Sequence, residues 1–254
     1  MTYEERKEQV RSYLGKTVTI KIDRPIGYIH HKEKYSLTYK INYGYIPDVI
    51  GGDGEELDVY LLGVDEPVDE YTCRIIGIVH RHNDIEDKLV AAPEGLIFNQ
   101  AQIAQAVHFQ EQYYNTKIEA LYQKSCGAIL FKREDGENKY LILFQKNSRS
   151  FSFPKGRMEM GESEEETAIR EVREETGYDV CLINGFREEI KYNISEMKEK
   201  TLVLFLSEVF TSPNLQESEI EYFQWLNKEE LRSILSKPYF AFIEKAERII
   251  RGKI

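Results

Sequence analysis

The chain has 254 residues, of which 41% are hydrophobic and 12% aromatic, a composition typical of globular proteins. Its length favours two domains over one, and either half is long enough to bury its own core. The formal net charge of −10 argues against a nucleic-acid partner, although an acidic protein binds polyphosphates when metal ions bridge the two. We find no signal peptide, no membrane-spanning apolar run and no metal-ligand pattern among the three cysteines, and therefore expect a cytoplasmic protein.

The first half of the chain is predicted to be mostly β-structure with helices at both ends. Residues 1–15 have the apolar spacing of an amphipathic helix, and this spacing returns over residues 99–122. Between them, β-branched and aromatic residues predict five strands, at 17–22, 39–45, 58–62, 74–80 and 89–92.

Three stretches of this half share a pattern of acidic and aromatic residues. Residues 42–47 read NYGYIP, residues 53–58 read DGEELD and residues 86–93 read EDKLVAAP. Together they resemble soluble inorganic pyrophosphatases, which hold Mg²⁺ around pyrophosphate. The resemblance implies an OB-like β-barrel with flanking helices over residues 1–121. It also implies a vestigial metal site with four carboxylates: Asp53, Glu55, Asp58 and Glu86.

The same stretches depart from the pyrophosphatase pattern where the family has charged residues. The family has a further aspartate five residues before the position of Glu86, where this chain has Arg81. Tyr114 stands where the family has a lysine, and the hairpin between residues 24 and 39 is shortened. We therefore interpret this half as a non-catalytic module for metabolite binding or for homo-oligomer formation, rather than as a pyrophosphatase.

A new pattern begins near residue 122, where we place the boundary between a domain of residues 1–121 and one of residues 122–254. Strands alternate with helices in this second half. Strands are predicted at 126–132, 140–145, 180–192 and 201–209, and helices at 228–235 and 239–251. One further helix lies between the second and third strands, which favours an α/β/α sandwich.

This intervening helix belongs to a glutamate-rich stretch, GRMEMGESEEETAIREVREETGY at residues 156–178. Ser163 with Glu166 predicts a capping box at the helix start, and Gly177 predicts its end. The helix would bring three carboxylates to one face: Glu171, Glu174 and Glu175. Clustered carboxylates suit Mg²⁺ or Mn²⁺, which also bind substrate phosphates, whereas the alternative is a solvated acidic helix with Glu–Arg pairs.

The spacing of this stretch favours the metal site. It resembles the Nudix box, G-x5-E-x7-R-E-U-x-E-E-x-G-U, in which U is a large aliphatic residue, and departs from it only at Tyr178. The resemblance implies that Mg²⁺ or Mn²⁺ serves as cofactor in hydrolysis of a phosphoanhydride. The implied metal ligands and catalytic groups are Glu171, Glu174, Glu175 and the carbonyl of Gly156, with Arg170 as a structural partner.

Further stretches resemble one subfamily, the asymmetric dinucleoside tetraphosphatases. Residues 219–225 match its E-x-x-x-Y/F-x-W pattern, which implies that Glu219 is a metal ligand and general base, with Glu221 as the second candidate. Its F/P-P-K-G and G-F…Y…K-x-K-T-V segments are also matched, although Arg157 replaces the usual histidine. These matches imply three substrate-binding residues: Lys155, Tyr192 and Lys200.

The sequence thus predicts metal-dependent hydrolysis of a nucleoside polyphosphate, with diadenosine tetraphosphate cleaved to ATP and AMP as the first choice. Three other substrate classes remain open: nucleoside triphosphates, nucleotide sugars and the capped 5′ ends of RNA. A metabolite-binding regulator without turnover is an alternative of a different class. The intact box argues against that alternative for the second half.

Overall fold

The computed structural model describes residues 2–31, 36–214 and 220–252. Tertiary contacts group residues 1–123 and 193–199 in a first unit, and residues 124–192 and 200–254 in a second. The domain boundary after residue 121 stays a prediction. Within the described ranges, no helix is both long and apolar enough to cross a membrane.

The first unit is built around a small closed β-barrel. Its elements are α1 (Tyr3–Tyr13), β1 (Thr17–Arg24), β2 (Ile29–His31), β3 (Ser36–Thr38), β4 (Asn42–Ile50), β5 (Glu56–Leu61), β6 (Glu70–Arg81), β7 (Lys88–Ala92), α2 (Gln100–Glu111) and β8 (Thr116–Ala120). The strand order is β1-β4-β5-β7-β6, and β6 pairs again with β1 to close the barrel. β8 extends the sheet beside β6, and helices flank the barrel strands in sequence, as expected.

Close approach of the first two barrel strands depends on a glycine. Gly44 of β4 pairs with Ile22 of β1, and a Cβ atom at residue 44 would lie 1.8 Å from the carbonyl oxygen of Lys21. No other residue allows the strands to approach this closely without displacement of the backbone. Inside, the buried rings of Tyr43 and Tyr60 pack at a centroid distance of 4.9 Å.

The helix predicted over residues 99–122 is wrong in its second half. The helix ends at Glu111, and residues 116–120 form β8, which pairs with β6 through Ile118 and Val79. The open edge of β6 supplies backbone partners that a continued helix would leave unpaired. β-branched Thr116 and Ile118 suit such a strand, because their side chains pack well on a pleated surface.

The second unit is a seven-stranded sheet with helices on both faces. Its elements are β9 (Tyr122–Glu134), β10 (Glu137–Gln145), β11 (Ser150–Ser152), β12 (Lys155–Arg157), α3 (Glu164–Thr176), β13 (Glu188–Asn193), β14 (Glu199–Glu208), β15 (Ile220–Leu226), α4 (Lys228–Ile234) and α5 (Lys237–Arg251). The strand order is β11-β10-β9-β14-β13, while β12 pairs with β9 and β15 pairs with β10.

Two separate cores show how the helices cover this sheet. Leu130 of β9 lies in the core that contains Val172 of α3. Its neighbour Ile129 lies in the core that contains Ile243 of α5. Because successive strand residues point to opposite faces, α3 and α5 cover opposite sides of the sheet. The expected α/β/α sandwich is therefore the observed fold.

The strand predicted over residues 180–192 is shorter in the structure. Only Glu188–Asn193 is a strand, and residues 179–187 form an irregular segment with Gly185 at a φ of +85°. Val180 and Phe186 are buried, so their apolar pattern resembles that of a strand. The segment buries those side chains against the sheet but forms no strand, although the backbone N–H of Ile183 donates to the carbonyl of Leu206 in β14 at 2.7 Å.

Candidate active site

Helix α3 begins and ends as its sequence predicts. The Ser163 hydroxyl accepts a hydrogen bond from the backbone N–H of Glu166 at 3.1 Å, and the Glu166 carboxylate accepts one from the backbone N–H of Ser163 at 2.8 Å. Gly177 ends the helix in the left-handed conformation, with a φ of +72°. Buried Ala168 and Val172 hold one side of α3 against the sheet. These contacts fix the rotation of the helix and therefore the direction of its acidic face.

Glu175 is the most enclosed carboxylate of this face. It accepts hydrogen bonds from the backbone N–H of Lys155 at 3.0 Å and from the Gln145 amide at 3.4 Å. Burial raises the pKa of Glu175 to about 7, because water no longer stabilises its charged form. A cation beside this carboxylate would offset the cost of burying the charge.

Glu171 lies directly against the backbone of β12. A Cβ atom at residue 156 would lie 2.0 Å from the carboxyl carbon of Glu171, so any other residue there would force this carboxylate to move. Burial raises the pKa of Glu171, although hydrogen bonding from Arg170 opposes this effect. The close approach brings the backbone of residue 156 and a helix carboxylate to one position.

Arg170 holds the box together through several contacts. Its guanidinium donates to the carboxylate of Glu162 at 2.5 and 3.0 Å, to Glu171 at 2.8 Å and to Glu174 at 3.1 Å. It also donates to the backbone carbonyl of Arg157 at 2.9 Å, which ties α3 to the preceding loop. Hydrogen bonding from Arg170 lowers the pKa of Glu162 to about 2. These contacts are those of a structural partner.

Within the described residues, no three His, Cys, Asp or Glu side chains already converge as a metal-binding group. Arg170 bonds to both Glu171 and Glu174, and Glu219 lies outside the described residues. The donor chemistry still fits a hard divalent cation, since carboxylates with raised pKa values lie beside a glycine that admits close approach. The residues that would hold the ion are Gly156, Glu171, Glu174 and Glu175.

A pocket of about 400 Å³ contains all three predicted substrate-binding residues: Lys155, Tyr192 and Lys200. Its walls also include Phe151, Phe153 and Tyr239. Lys155 joins the pocket to α3, because its backbone N–H donates to Glu175. A second pocket, of about 470 Å³, lies beside Gly136, Asn227 and Glu247 and contains none of the predicted site residues.

The pocket combines positive charge with aromatic surface. Burial, together with the nearby charges of Lys155 and Arg157, lowers the pKa of Lys200 to about 8. An anionic ligand would reverse this effect by stabilising the ammonium form. The hydroxyl groups of Tyr192 and Tyr239 interact with each other, and both residues line the pocket wall. The pocket is therefore suited to an aromatic group that carries phosphates.

Tyr239 and Phe151 are pocket residues that the sequence did not reveal. Tyr239 lies in a helix whose apolar spacing predicts only core packing. Glu221, the second candidate for the general base, is exposed and accepts a hydrogen bond from Arg149 at 3.0 Å. The hydrogen-bond donor to Glu221 is thus a residue of the loop between β10 and β11, and not a residue of α3.

The four carboxylates of the vestigial site in the first unit are not gathered as predicted. Asp53 and Glu55 are exposed on a turn, where the Asp53 carboxylate accepts a hydrogen bond from the backbone N–H of Glu55 at 3.0 Å. Asp58 and Glu86 instead meet at the buried ammonium of Lys88. This local hydrogen bond stabilises the turn, and in that conformation Asp53 and Glu55 are exposed to solvent.

Two buried cations occupy the acidic part of this barrel. Lys88 donates to Glu86 at 2.8 Å, to the Tyr43 hydroxyl at 2.6 Å and to Asp58. Nη1 of Arg81 lies 3.8 Å from Oε2 of Glu86. The same guanidinium donates two hydrogen bonds to the carboxylate of Glu111, at 2.6 and 2.9 Å. Burial raises the pKa of Glu86 to about 7 even beside Lys88. These residues do not fit a divalent cation, because Lys88 and Arg81 already supply the positive charge.

We expect the protein to release almost no phosphate from pyrophosphate. The reason is that Arg81 and Lys88 pair with the carboxylates that would otherwise bind metal. The measurement is phosphate release in excess Mg²⁺ with the Glu175→Gln variant, which suppresses the second unit. Sustained turnover by that variant would mean that the first unit is an active pyrophosphatase.

Replacing Gly156 by Ala is expected to lower kcat by about a hundredfold, because the new methyl group would displace Glu171 and errors of about 1 Å can cost this much. The control is Gly252→Ala in the same unit, where a Cβ atom would meet only ordinary contacts, the nearest at 3.4 Å. Equal kcat values for the two variants, measured with a nucleotide substrate in Mg²⁺, would show that the approach of residue 156 to Glu171 does not matter for turnover.

Comparison with known proteins places both units in families. The inorganic pyrophosphatase family matches residues 12–124, and the NUDIX domain family matches residues 121–246. The asymmetrical bis(5′-nucleosyl)-tetraphosphatase of Mus musculus is 34% identical over 119 residues, which cover 42% of this chain and 80% of that protein. The m7GpppN-mRNA hydrolase of Saccharomyces cerevisiae is 30% identical over 120 residues, which cover 46% of this chain and 12% of that protein.

Among solved structures, a binary complex of the C. elegans Ap4A hydrolase is 21% identical, with a TM-score of 0.48. The match covers 51% of this chain and 98% of that protein. Nudix hydrolases generally use divalent metal ions, in agreement with the carboxylates on α3. The chain therefore belongs to the Nudix hydrolase family, and its Nudix domain follows a domain of the inorganic pyrophosphatase family.

Proposed function

We propose that this Nudix hydrolase cleaves a phosphoanhydride of a nucleoside polyphosphate, and that diadenosine tetraphosphate is its preferred substrate. The products would be ATP and AMP. The observation that carries the proposal is the pocket in which Lys155 and Lys200 lie with Tyr192, beside the acidic face of α3. The similarity to the asymmetrical tetraphosphatase of Mus musculus supports the same substrate class.

The pocket residues would bind the two chemical parts of such a substrate. Tyr192 and Tyr239 offer ring surfaces for a nucleoside base, while the ammonium groups of Lys155 and Lys200 suit phosphate oxygens. Because burial lowers the pKa of Lys200 to about 8, a polyphosphate would strengthen its protonated state on binding. A chain of four phosphates would therefore bind better than a chain of two, since its distal charges reach the lysines.

The acidic face of α3 would orient the reacting phosphate. Mg²⁺ or Mn²⁺, when bound, would neutralise phosphate oxygens and lower the pKa of the attacking water. The ion would be held by Glu171, Glu174 and Glu175. The hydrogen bond from the backbone N–H of Lys155 to Glu175 would fix the position of the pocket relative to the helix. Glu219 remains our proposed general base. Base stacking in the pocket would then decide which phosphorus faces the water.

The test is hydrolysis of diadenosine tetraphosphate in ¹⁸O-labelled water, with the products identified by mass spectrometry. We expect AMP to carry the label and unlabelled ATP to be its co-product, because attack next to one nucleoside leaves the oxygen on AMP. Two molecules of ADP would contradict asymmetric cleavage. Turnover of a nucleoside triphosphate, a nucleotide sugar or capped RNA in place of diadenosine tetraphosphate would assign another Nudix substrate.

A further inference from the structure

Three aromatic side chains lie side by side across neighbouring strands of the second unit. Phe144 of β10 is the direct cross-strand partner of Phe151 in β11 and of Tyr222 in β15. The rings of Phe144 and Tyr222 are stacked, with centroids 4.9 Å apart and planes at 10°. Phe151 meets Phe144 edge to face at 5.1 Å and also meets Tyr222 edge to face at 6.2 Å, so the three rings form one cluster. We call Phe151, Phe144 and Tyr222 the aromatic ladder.

The ladder extends from the wall of the substrate pocket to the protein surface. Phe151 lines the pocket that contains Lys155. Tyr222, whose ring contacts Phe151, is 38% exposed to solvent. Cross-strand aromatic pairs stabilise a sheet, but this role does not require that one of the rings be exposed. The ladder therefore places an exposed aromatic ring, Tyr222, directly beside a ring of the pocket wall.

Arg149 lies over the ladder, in the turn between β10 and β11 that its backbone N–H closes by donating to the carbonyl of Gln145 at 3.0 Å. Its guanidinium carbon lies 5.4 Å from the centroid of Phe144, and its Nη1 donates to Glu221 at 3.0 Å. The residue has a φ of +52°, a left-handed conformation that non-glycine residues rarely adopt. Such strain is often found where a side chain must be placed for binding. The guanidinium suits a ligand that is both aromatic and anionic when a ligand phosphate replaces Glu221 as its partner.

We propose that the aromatic ladder is the subsite for the second nucleoside base of a dinucleoside polyphosphate. The proposal rests on the proposed function. The pocket, at about 400 Å³, is near the small end of ligand sites, which suits one nucleoside with its adjacent phosphates rather than two. The second base stacks on the exposed ring of Tyr222, and Arg149 faces the phosphate next to it. The subsite thus selects substrates with a base at both ends.

The test compares diadenosine tetraphosphate with adenosine 5′-tetraphosphate, which has the same phosphate chain but no second base. Their dissociation constants are measured by calorimetry. The buffer contains Ca²⁺, whose coordination differs from that of Mg²⁺, so that binding is measured separately from hydrolysis in Mg²⁺. Tyr222→Leu keeps an apolar side chain but removes the ring. We expect it to weaken binding of the dinucleotide about tenfold, as loss of one base–aromatic stack does, with little change for the mononucleotide.

Two further variants separate stacking from general damage to the fold. Tyr222→Phe keeps the ring and should bind the dinucleotide like the wild type. Phe210→Ala removes an aromatic residue that is 86% exposed in the same unit but outside the ladder, and should change neither constant. Equal effects of Tyr222→Leu on both ligands, or no effect on either, would overturn the subsite.

Hydrolysis of the same two compounds in Mg²⁺ distinguishes this inference from the proposed function. Suppose that the dinucleotide binds more tightly than the mononucleotide, that this preference requires the Tyr222 ring, and that the dinucleotide is not cleaved. The proposed reaction is then wrong and the subsite stands. If the dinucleotide is cleaved and Tyr222→Leu leaves the preference over the mononucleotide unchanged, the reaction stands and the subsite is wrong.

Discussion

Replacing Glu175 by Gln is expected to lower kcat by about a thousandfold or more, because losing a metal contact costs several kcal/mol of transition-state stabilisation. The amide keeps the shape of the side chain and still has an oxygen to accept the hydrogen bond from Lys155. The change removes the charge that would bind the cation. The measurement is kcat with diadenosine tetraphosphate at saturating Mg²⁺. Glu174→Gln should have a similar effect.

The matched control is Glu165→Gln, an exposed residue in the first turn of the same helix. It changes the net charge by the same amount and should leave kcat unchanged within about twofold, since it lies outside the implied ligand set. Near wild-type kcat for Glu175→Gln would mean that the metal assignment to this side chain is wrong. Equal losses for Glu165→Gln would indicate a general electrostatic effect.

Replacing Lys88 by Met is expected to reduce the free energy of unfolding of the first unit by about 3–5 kcal/mol, as breaking a buried ion pair does. The buried ammonium bonds to Glu86, Asp58 and the Tyr43 hydroxyl, and its loss leaves two carboxylates without their shared cation. The measurement is urea unfolding followed by circular dichroism. Added Mg²⁺ should not restore stability, because the remaining acids of the turn point to solvent.

The control for this variant is Lys117→Met, which removes an exposed lysine from β8 of the same unit. Surface substitutions of this kind usually change the free energy of unfolding by no more than about 0.5 kcal/mol. If Mg²⁺ stabilised the Lys88→Met variant much more than the wild type, the carboxylates would form a metal site once the lysine is removed. That result would contradict the interpretation that the constellation is a closed ion-pair network.

The acidic helix could be predicted from sequence because its determinants are local. The capping box of Ser163 and Glu166 and the terminal Gly177 lie within one helical segment, and all three act as the sequence predicts. The spacing of Glu171, Glu174 and Glu175 determines their shared face, since the helical repeat alone brings i, i+3 and i+4 together. The two family resemblances rest on similar short-range spacing.

Strand boundaries were less predictable, because the partner of a strand lies elsewhere in the chain. Residues 116–120 have apolar spacing that also suits a helix, and they become β8 only because β6 offers an open edge. Over residues 179–187 the apolar pattern resembles a strand, but the segment does not form one. In both cases a distant backbone decided between two local alternatives.

The sequence by itself determined the two folds and the acidic face of α3. Only the tertiary structure decided which side chains surround the pocket, since Phe151 and Tyr239 join Lys155 and Lys200 from separate elements. It also decided that Arg81 pairs with Glu111, 30 residues away, so that the barrel acids meet fixed cations. The physical reason is that helix periodicity and capping act within a few residues, whereas pocket walls and buried ion pairs form only where packing brings distant segments together.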